Sequence, residues 1–237
     1  MTVAIGIDAC KDGWFYFRFE DGVGTFGVAA SIAAILDGMP FDGRALIDIP
    51  IGLKERGKTE RECDLLARDL LRPRRHSSVF PAPCRQALKQ KDYAAAQDKN
   101  RKITGRSLSR QTWSIAPKIL EVDEYVRGNP PVSDSLFEAH PEVVFCGLAG
   151  GPMSANKKTR DGFTERMTIL RIFDPDAETY ISSAFLAYGG FEASRDDIVD
   201  AYALALCAKH PGRWRLLPDE APTDPRGLPM RMVYMAR

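Results

Sequence analysis

Val3-Ala4-Ile5-Gly6-Ile7-Asp8 is an apolar run closed by an acid, and Ala45-Leu46-Ile47-Asp48-Ile49-Pro50 repeats the design further along the chain. Short, uniformly apolar runs read as strands buried on both faces, here residues 2–8 and 45–49. Between them, Lys11-Asp12-Gly13 and Asp21-Gly22 are turn signals. Trp14 to Glu20 alternates aromatic with other residues, and Val23 to Val28 can return as a third strand, so the start is a meander. Residues 29–36 carry a short helix pattern that ends near Asp37-Gly38. The predicted order is β-β-β-α-β, an α/β arrangement.

Beyond Asp48 the character changes. Residues 52–130 are charged and loop-rich, and are expected to form a helical insertion after the fourth strand. Thr59 and Glu62 have the spacing of a capping box ahead of Leu65, Leu66 and Leu70. Pro73, Pro81 and Pro83 predict a loop over 72–84. Helices are expected over 85–98 and 117–127, the latter with Pro117 in its first turn. Residues 135–138 read as a fifth strand, and 141–148, 163–173 and 176–187 as helices. A last helix runs from Ser194, a suitable N-cap, to about Lys209. The tail carries Pro211, Pro218, Pro222, Pro225 and Pro229 and is expected to be mostly irregular.

With 237 residues, 44% hydrophobic and 27% charged, the chain suits one large domain over 1–237. No apolar stretch approaches the roughly 20 residues that span a bilayer, and no basic region precedes an apolar core at the start. The expectation is no membrane association and no signal peptide. Five scattered cysteines without a CxxC argue against zinc and for free thiols in a reducing cytoplasm. Net charge is +1, but residues 54–118 hold 17 Lys/Arg against 7 Asp/Glu, a local +10, while the rest is −9. That asymmetry fits either a basic surface beside an acidic site or a solvated helical insertion.

Four aspartates carry the chemistry. A carboxylate at the end of a buried strand is costly unless it is paired or binds metal, which singles out Asp8 and Asp48. Asp197 and Asp200 stand three apart in Asp197-Ile198-Val199-Asp200-Ala201-Tyr202-Ala203-Leu204-Ala205 and share a helix face. The small residues Ala201, Ala203 and Ala205 let that helix lie close to a sheet. Clustered carboxylates repel unless a cation neutralises them, and oxygen ligands favour Mg²⁺ or Mn²⁺. The structural alternative is that Asp8 caps a turn, Asp48 accepts backbone N–H groups, and Asp196 or Asp197 favours a helix dipole.

The β-β-β-α-β start with Asp8 and Asp48 resembles the RNase H-like fold, a mixed five-stranded sheet flanked by helices. The Asp197–Ala205 segment resembles the D-x-x-D-A-x-A-x-A helix of the Holliday-junction resolvases of that superfamily. The whole chain is similar to a prokaryotic family described as predicted RNase H-like nucleases, the domain of unknown function four-two-nine. Ile5-Gly6-Ile7-Asp8 with Gly13-Trp14, Ile47-Asp48-Ile49-Pro50, Arg61-Glu62-Cys63-Asp64, Ser78-Val79-Phe80, Pro117-Lys118-Ile119, Glu138-Ala139-His140-Pro141-Glu142 and Lys157-Lys158-Thr159 carry that resemblance, over roughly residues 3–205. It implies metal ligands at Asp8, Asp48, Asp197 and Asp200 and a metal-dependent hydrolysis of phosphodiesters in DNA or RNA by a two-metal mechanism. The resolvases commonly carry Glu where Asp48 stands. Glu138, His140 and Asp196 are candidates for supporting positions. Lys118, Lys157, Lys158, Arg74, Arg75 and Arg85 are candidates for phosphate contacts. Two other readings stand beside the nuclease: a non-catalytic module binding nucleic acid or protein, and, more distantly, a nucleotide-binding actin-like phosphotransferase.

Overall fold

The computed structural model describes residues 3–237; the expected strand start at Thr2 lies outside the described residues. Strands β1 (Val3–Cys10), β2 (Gly13–Glu20) and β3 (Val23–Ala29) form the meander. Helix α1 (Ile32–Leu36) then leads to β4 (Arg44–Ile47). Helices α2 (Glu62–Leu70), α3 (Arg85–Leu88), α4 (Tyr93–Thr104), α5 (Arg110–Ser114) and α6 (Ala116–Gly128) lie between β4 and β5 (Leu136–Glu138). After β5 come α7 (Pro141–Ala149), α8 (Arg160–Phe173), α9 (Ala177–Tyr188), α10 (Arg195–Lys209) and a hairpin of β6 (Trp214–Leu217) and β7 (Met232–Met235).

The five-stranded sheet has the order β3-β2-β1-β4-β5. β2 runs antiparallel to β1 and β3, whereas β4 is parallel to β1 and β5. The pleat divides β1 between two cores, because successive side chains point to opposite faces. Val3, Ile5 and Ile7 pack with Trp14, Ala45 and Ile47 under α1 and α6. Ala4, with Phe15, Phe17, Phe19 and Leu46, faces α7, α9 and α10. Both faces are covered, which is why β1 and β4 read as continuous apolar runs.

Several expectations are corrected. The first helix begins at Ile32 rather than Ala29, because Ala29 still pairs with Trp14 and Ser31 caps the Ala34 N–H. Thr59 does not cap α2: its hydroxyl accepts a hydrogen bond from Lys54, and Arg61 is the N-cap. The helix expected over 85–98 is two helices, separated where the Asp92 side chain caps the Ala95 N–H. β4 ends at Ile47, so Asp48 and Ile49 follow the strand. The tail is not mostly irregular: Trp214–Leu217 pairs with Met232–Met235, and four of the prolines lie in the connection between them. Ser194 caps α10 as expected, in a reciprocal capping box with Asp197.

Candidate functional site

The parallel pairing of β1 and β4 aligns Ile7 with Ile47, and the Asp48 N–H donates to the Ile7 carbonyl at 3.2 Å. The next residue on each chain is an aspartate, so Asp8 and Asp48 emerge side by side on the α10 face of the sheet. Helix α10 can approach because Gly6 has no side chain. A Cβ there would lie 2.1 Å from both the Ala201 carbonyl oxygen and the Ala205 nitrogen. That close approach carries Asp200, and one turn earlier Asp197, to the strand ends. Asp200 is 1% exposed and Asp8 8%. Asp197 spends one oxygen on the Ser194 N–H at 2.8 Å and lines the cleft.

Crowding these acids has an electrostatic consequence. Burial, then the charges of Asp48 and Asp200, hold the Asp8 carboxyl well above the usual carboxylate range. Asp48 is raised by burial, despite His140 and Lys157, with Asp200 and Glu142 adding to the rise. Burial also raises Asp197. Lys157 supplies the opposing charge: its ammonium bonds Asp200. Burial disfavours that ammonium, but Asp200, Asp8 and Asp48 outweigh burial and raise its pKa above the lysine value. The Lys157 loop is pinned. Glu165 accepts from the Ser154 and Ala155 N–H groups, and Gly162 lets the Asn156 backbone pass where a Cβ would clash at 1.9 Å.

Asp8, Asp48 and Asp197 line a cleft of about 470 Å³, with Lys157, Lys158, Arg75, His140 and Glu142 among its other walls. The sequence candidates divide here. Lys158 is exposed at the cleft, and Arg75 reaches it while donating to the carbonyls of Met153 and Ser154. Arg74 is exposed and outside the lining. Lys118 lies over the Trp14 ring and donates to the Gly13 carbonyl, outside the cleft lining. Arg85 is corrected as a phosphate contact: it is 3% exposed and its guanidinium is held by Asp123, Glu55 and Asp224. Asp196 stands in the first turn of α10 outside the cleft lining.

Glu138 pairs with Ile47 in the β4–β5 register and lines the same cleft as Asp8 and Asp48, together with Arg61 and Asp64. Both of its oxygens accept from Arg61 at 2.8 Å, and one also from the Ile51 N–H at 2.8 Å. Arg61 also pairs with the fully buried Asp64. His140 is the N-cap of α7: its Nδ1 accepts the Glu142 N–H, which leaves Nε2 to donate to the Ser78 carbonyl. Its ring is satisfied as a cap. Sequence reasoning missed the buried Glu142–Arg166 pair and gave Arg61 and Asp64 no role. Only the Arg61–Asp64 spacing of three was visible locally, as a helical ion pair.

Among the described residues, no three His, Cys, Asp or Glu side chains are grouped at metal-ligand spacing. The donor set nevertheless suits a hard cation. Its ligating atoms are carboxylate oxygens, and it already holds one cation, the Lys157 ammonium. Burial first, then the charges of Asp48 and Asp200, raise the Asp8 carboxyl even with that ammonium nearby. Chemically, such a cleft can bind cations deep inside and anions at its Arg75–Lys158 rim. All five cysteines are buried free thiols and take no part in it. No helix among the described residues is long and apolar enough to cross a membrane.

No curated protein and no solved structure matches the chain. A family model does match, over residues 6–223, and so takes in Asp8, Asp48, Glu142, Lys157, Asp197 and Asp200. The chain belongs to the family described as "Protein of unknown function (DUF429)".

Proposed function

We propose that this protein is a divalent-metal-dependent phosphodiester hydrolase, a nuclease acting on DNA or RNA, built on an RNase H-like sheet. One observation carries the reading: Asp8 and Asp48 stand side by side in one cleft, each following the paired Ile7 and Ile47 of adjacent parallel strands, and Gly6 lets α10 bring the buried Asp200 near enough for both to feel its charge. The strand order β3-β2-β1-β4-β5, with β2 antiparallel, supports the RNase H-like assignment. Asp8, Asp48 and Asp200 would hold Mg²⁺ or Mn²⁺, with Asp197 at the edge. Such ions supply activation of water and stabilisation of the leaving oxygen. The chain's own cations do the positioning. Lys158 and Arg75 at the cleft wall orient the phosphates, and Lys157 holds Asp200 in place until another cation takes over its charge.

The test is Mn²⁺ binding by calorimetry on wild type and the Asp8→Asn/Asp200→Asn variant, followed by cleavage assays on single- and double-stranded DNA and RNA. Binding by the wild type alone, with cleavage abolished in Asp8→Asn of unchanged fold, is expected. Cleavage undiminished in Asp8→Asn overturns the reading. Nucleic-acid binding that is sensitive to salt but indifferent to both aspartates would instead mark a binding module.

A further inference from the structure

We propose that Glu142 is a cation ligand of this cleft and, with Asp48, forms a second cation position distinct from the Asp8–Asp200 position that Lys157 neutralises. The inference rests on the metal-dependent reading above. Glu142 is 6% exposed and stands at the start of α7 on the cleft wall. Its Oε1 accepts from Arg166, itself 1% exposed, whose other nitrogen donates to the carbonyls of Gly162 and Ala155. Its Oε2 is buried and has no protein partner. A buried carboxylate oxygen left without a donor is costly. A carboxylate of the cleft wall with one oxygen held by a buried guanidinium and the other left without a donor is positioned to receive a cation.

The neighbouring acids are otherwise engaged. Glu138 has both oxygens filled by Arg61 and the Ile51 N–H, and Asp197 gives one of its own to the cap of α10. Asp48 lies between the two groups of charges: like Asp8 it feels Lys157 and Asp200, and it also feels His140 and Glu142, with which it lines the cleft. Lys157 bonds on the Asp200 side. On the Glu142 side, His140 is occupied as a cap and Arg166 faces Oε1, which leaves Oε2 without a donor in the wall that Glu142 shares with Asp48, an oxygen pair suited to a hard cation.

The experiment is a calorimetric Mn²⁺ titration of wild type, Glu142→Gln, Glu138→Gln and the double variant Glu142→Gln/Arg166→Gln, with melting curves for each. The double variant removes the buried pair as a unit, so no lone guanidinium is left to unfold the protein. Two ions are expected on the wild type and on Glu138→Gln. One ion, with affinity changed less than threefold, is expected on Glu142→Gln and on the double variant. Unchanged stoichiometry and affinity in the Glu142 variants overturns the inference and leaves the metal-dependent reading standing. No binding even by wild type removes that reading and this inference together.

Discussion

Gly6→Ala tests whether the approach of α10 to β1 is what assembles the site. The added Cβ would sit 2.1 Å from the Ala201 oxygen and 2.1 Å from the Ala205 nitrogen, against the 3.4 Å at which ordinary contact begins. Both obstacles are backbone, so no side chain can rotate away, and α10 must retreat by more than an ångström. Overpacking of a well-packed core costs about 1–3 kcal/mol. A backbone clash under the most central helix belongs at the top of that range. At about 2–4 °C per kcal/mol for a chain of this size, the melting temperature should fall by roughly 10 °C. Thermal and urea unfolding followed by circular dichroism read this directly. Gly151→Ala is the control, since nothing lies within 4 Å of its Cβ position. The same retreat draws Asp200 away from Asp8, so Mn²⁺ affinity should fall in Gly6→Ala and hold in Gly151→Ala. A Gly6→Ala protein that melts with the wild type would refute the packing argument and with it the account of how the acids meet.

Asp8→Asn should alter the pH dependence of stability in metal-free buffer. The folded-state pKa of Asp8 is raised, so the folded state binds its proton more tightly than the unfolded state, where it titrates near ~3.9. The stability this group contributes is full below that unfolded value and is lost as pH rises through the folded one. Asparagine has no proton to lose, so the melting temperature of Asp8→Asn relative to wild type should climb between acid and neutral pH; a falling difference would contradict the sign. Arg85→Met removes the guanidinium shared by Asp123 and Asp224. Breaking a buried pair by deleting one partner costs about 3–5 kcal/mol. The lower end is expected, because Asp123 keeps Arg127, and Asp224 keeps the N–H groups of Leu53, Arg226 and Leu228. Urea unfolding with a midpoint near wild type would show that Arg85 is not structural.

The meander, the fourth strand and the last helix were legible in the sequence because their signals are local. Period-two alternation over Trp14–Glu20, glycine turns at Asp12-Gly13 and Asp21-Gly22, and the Ser194 cap each act within a few residues. The pairing of Asp8 with Asp48 was legible because both close buried apolar runs. The β6–β7 hairpin was not, since its strands are separated by a long proline-rich connection and neither shows its partner. Glu138 looked like a site residue in the sequence. It does line the cleft, but its partners, Arg61 and the Ile51 N–H, were not legible, because they come from a segment that only folding brings beside β5.

What the sequence determined by itself is the meander, the fourth strand, the last helix and the choice of Asp8, Asp48, Asp197 and Asp200 as candidates, because buried carboxylates are costly wherever the chain places them. What only the tertiary structure decided is which charges answer one another. Arg85 has the composition of a phosphate contact, yet partners 38 and 139 residues away consume it. Lys157 meets Asp200 across 43 residues, and Arg166 meets Glu142 across 24. Ion pairing depends on distance in space and on burial, and neither is written in the order of the residues until the sheet and α10 are packed.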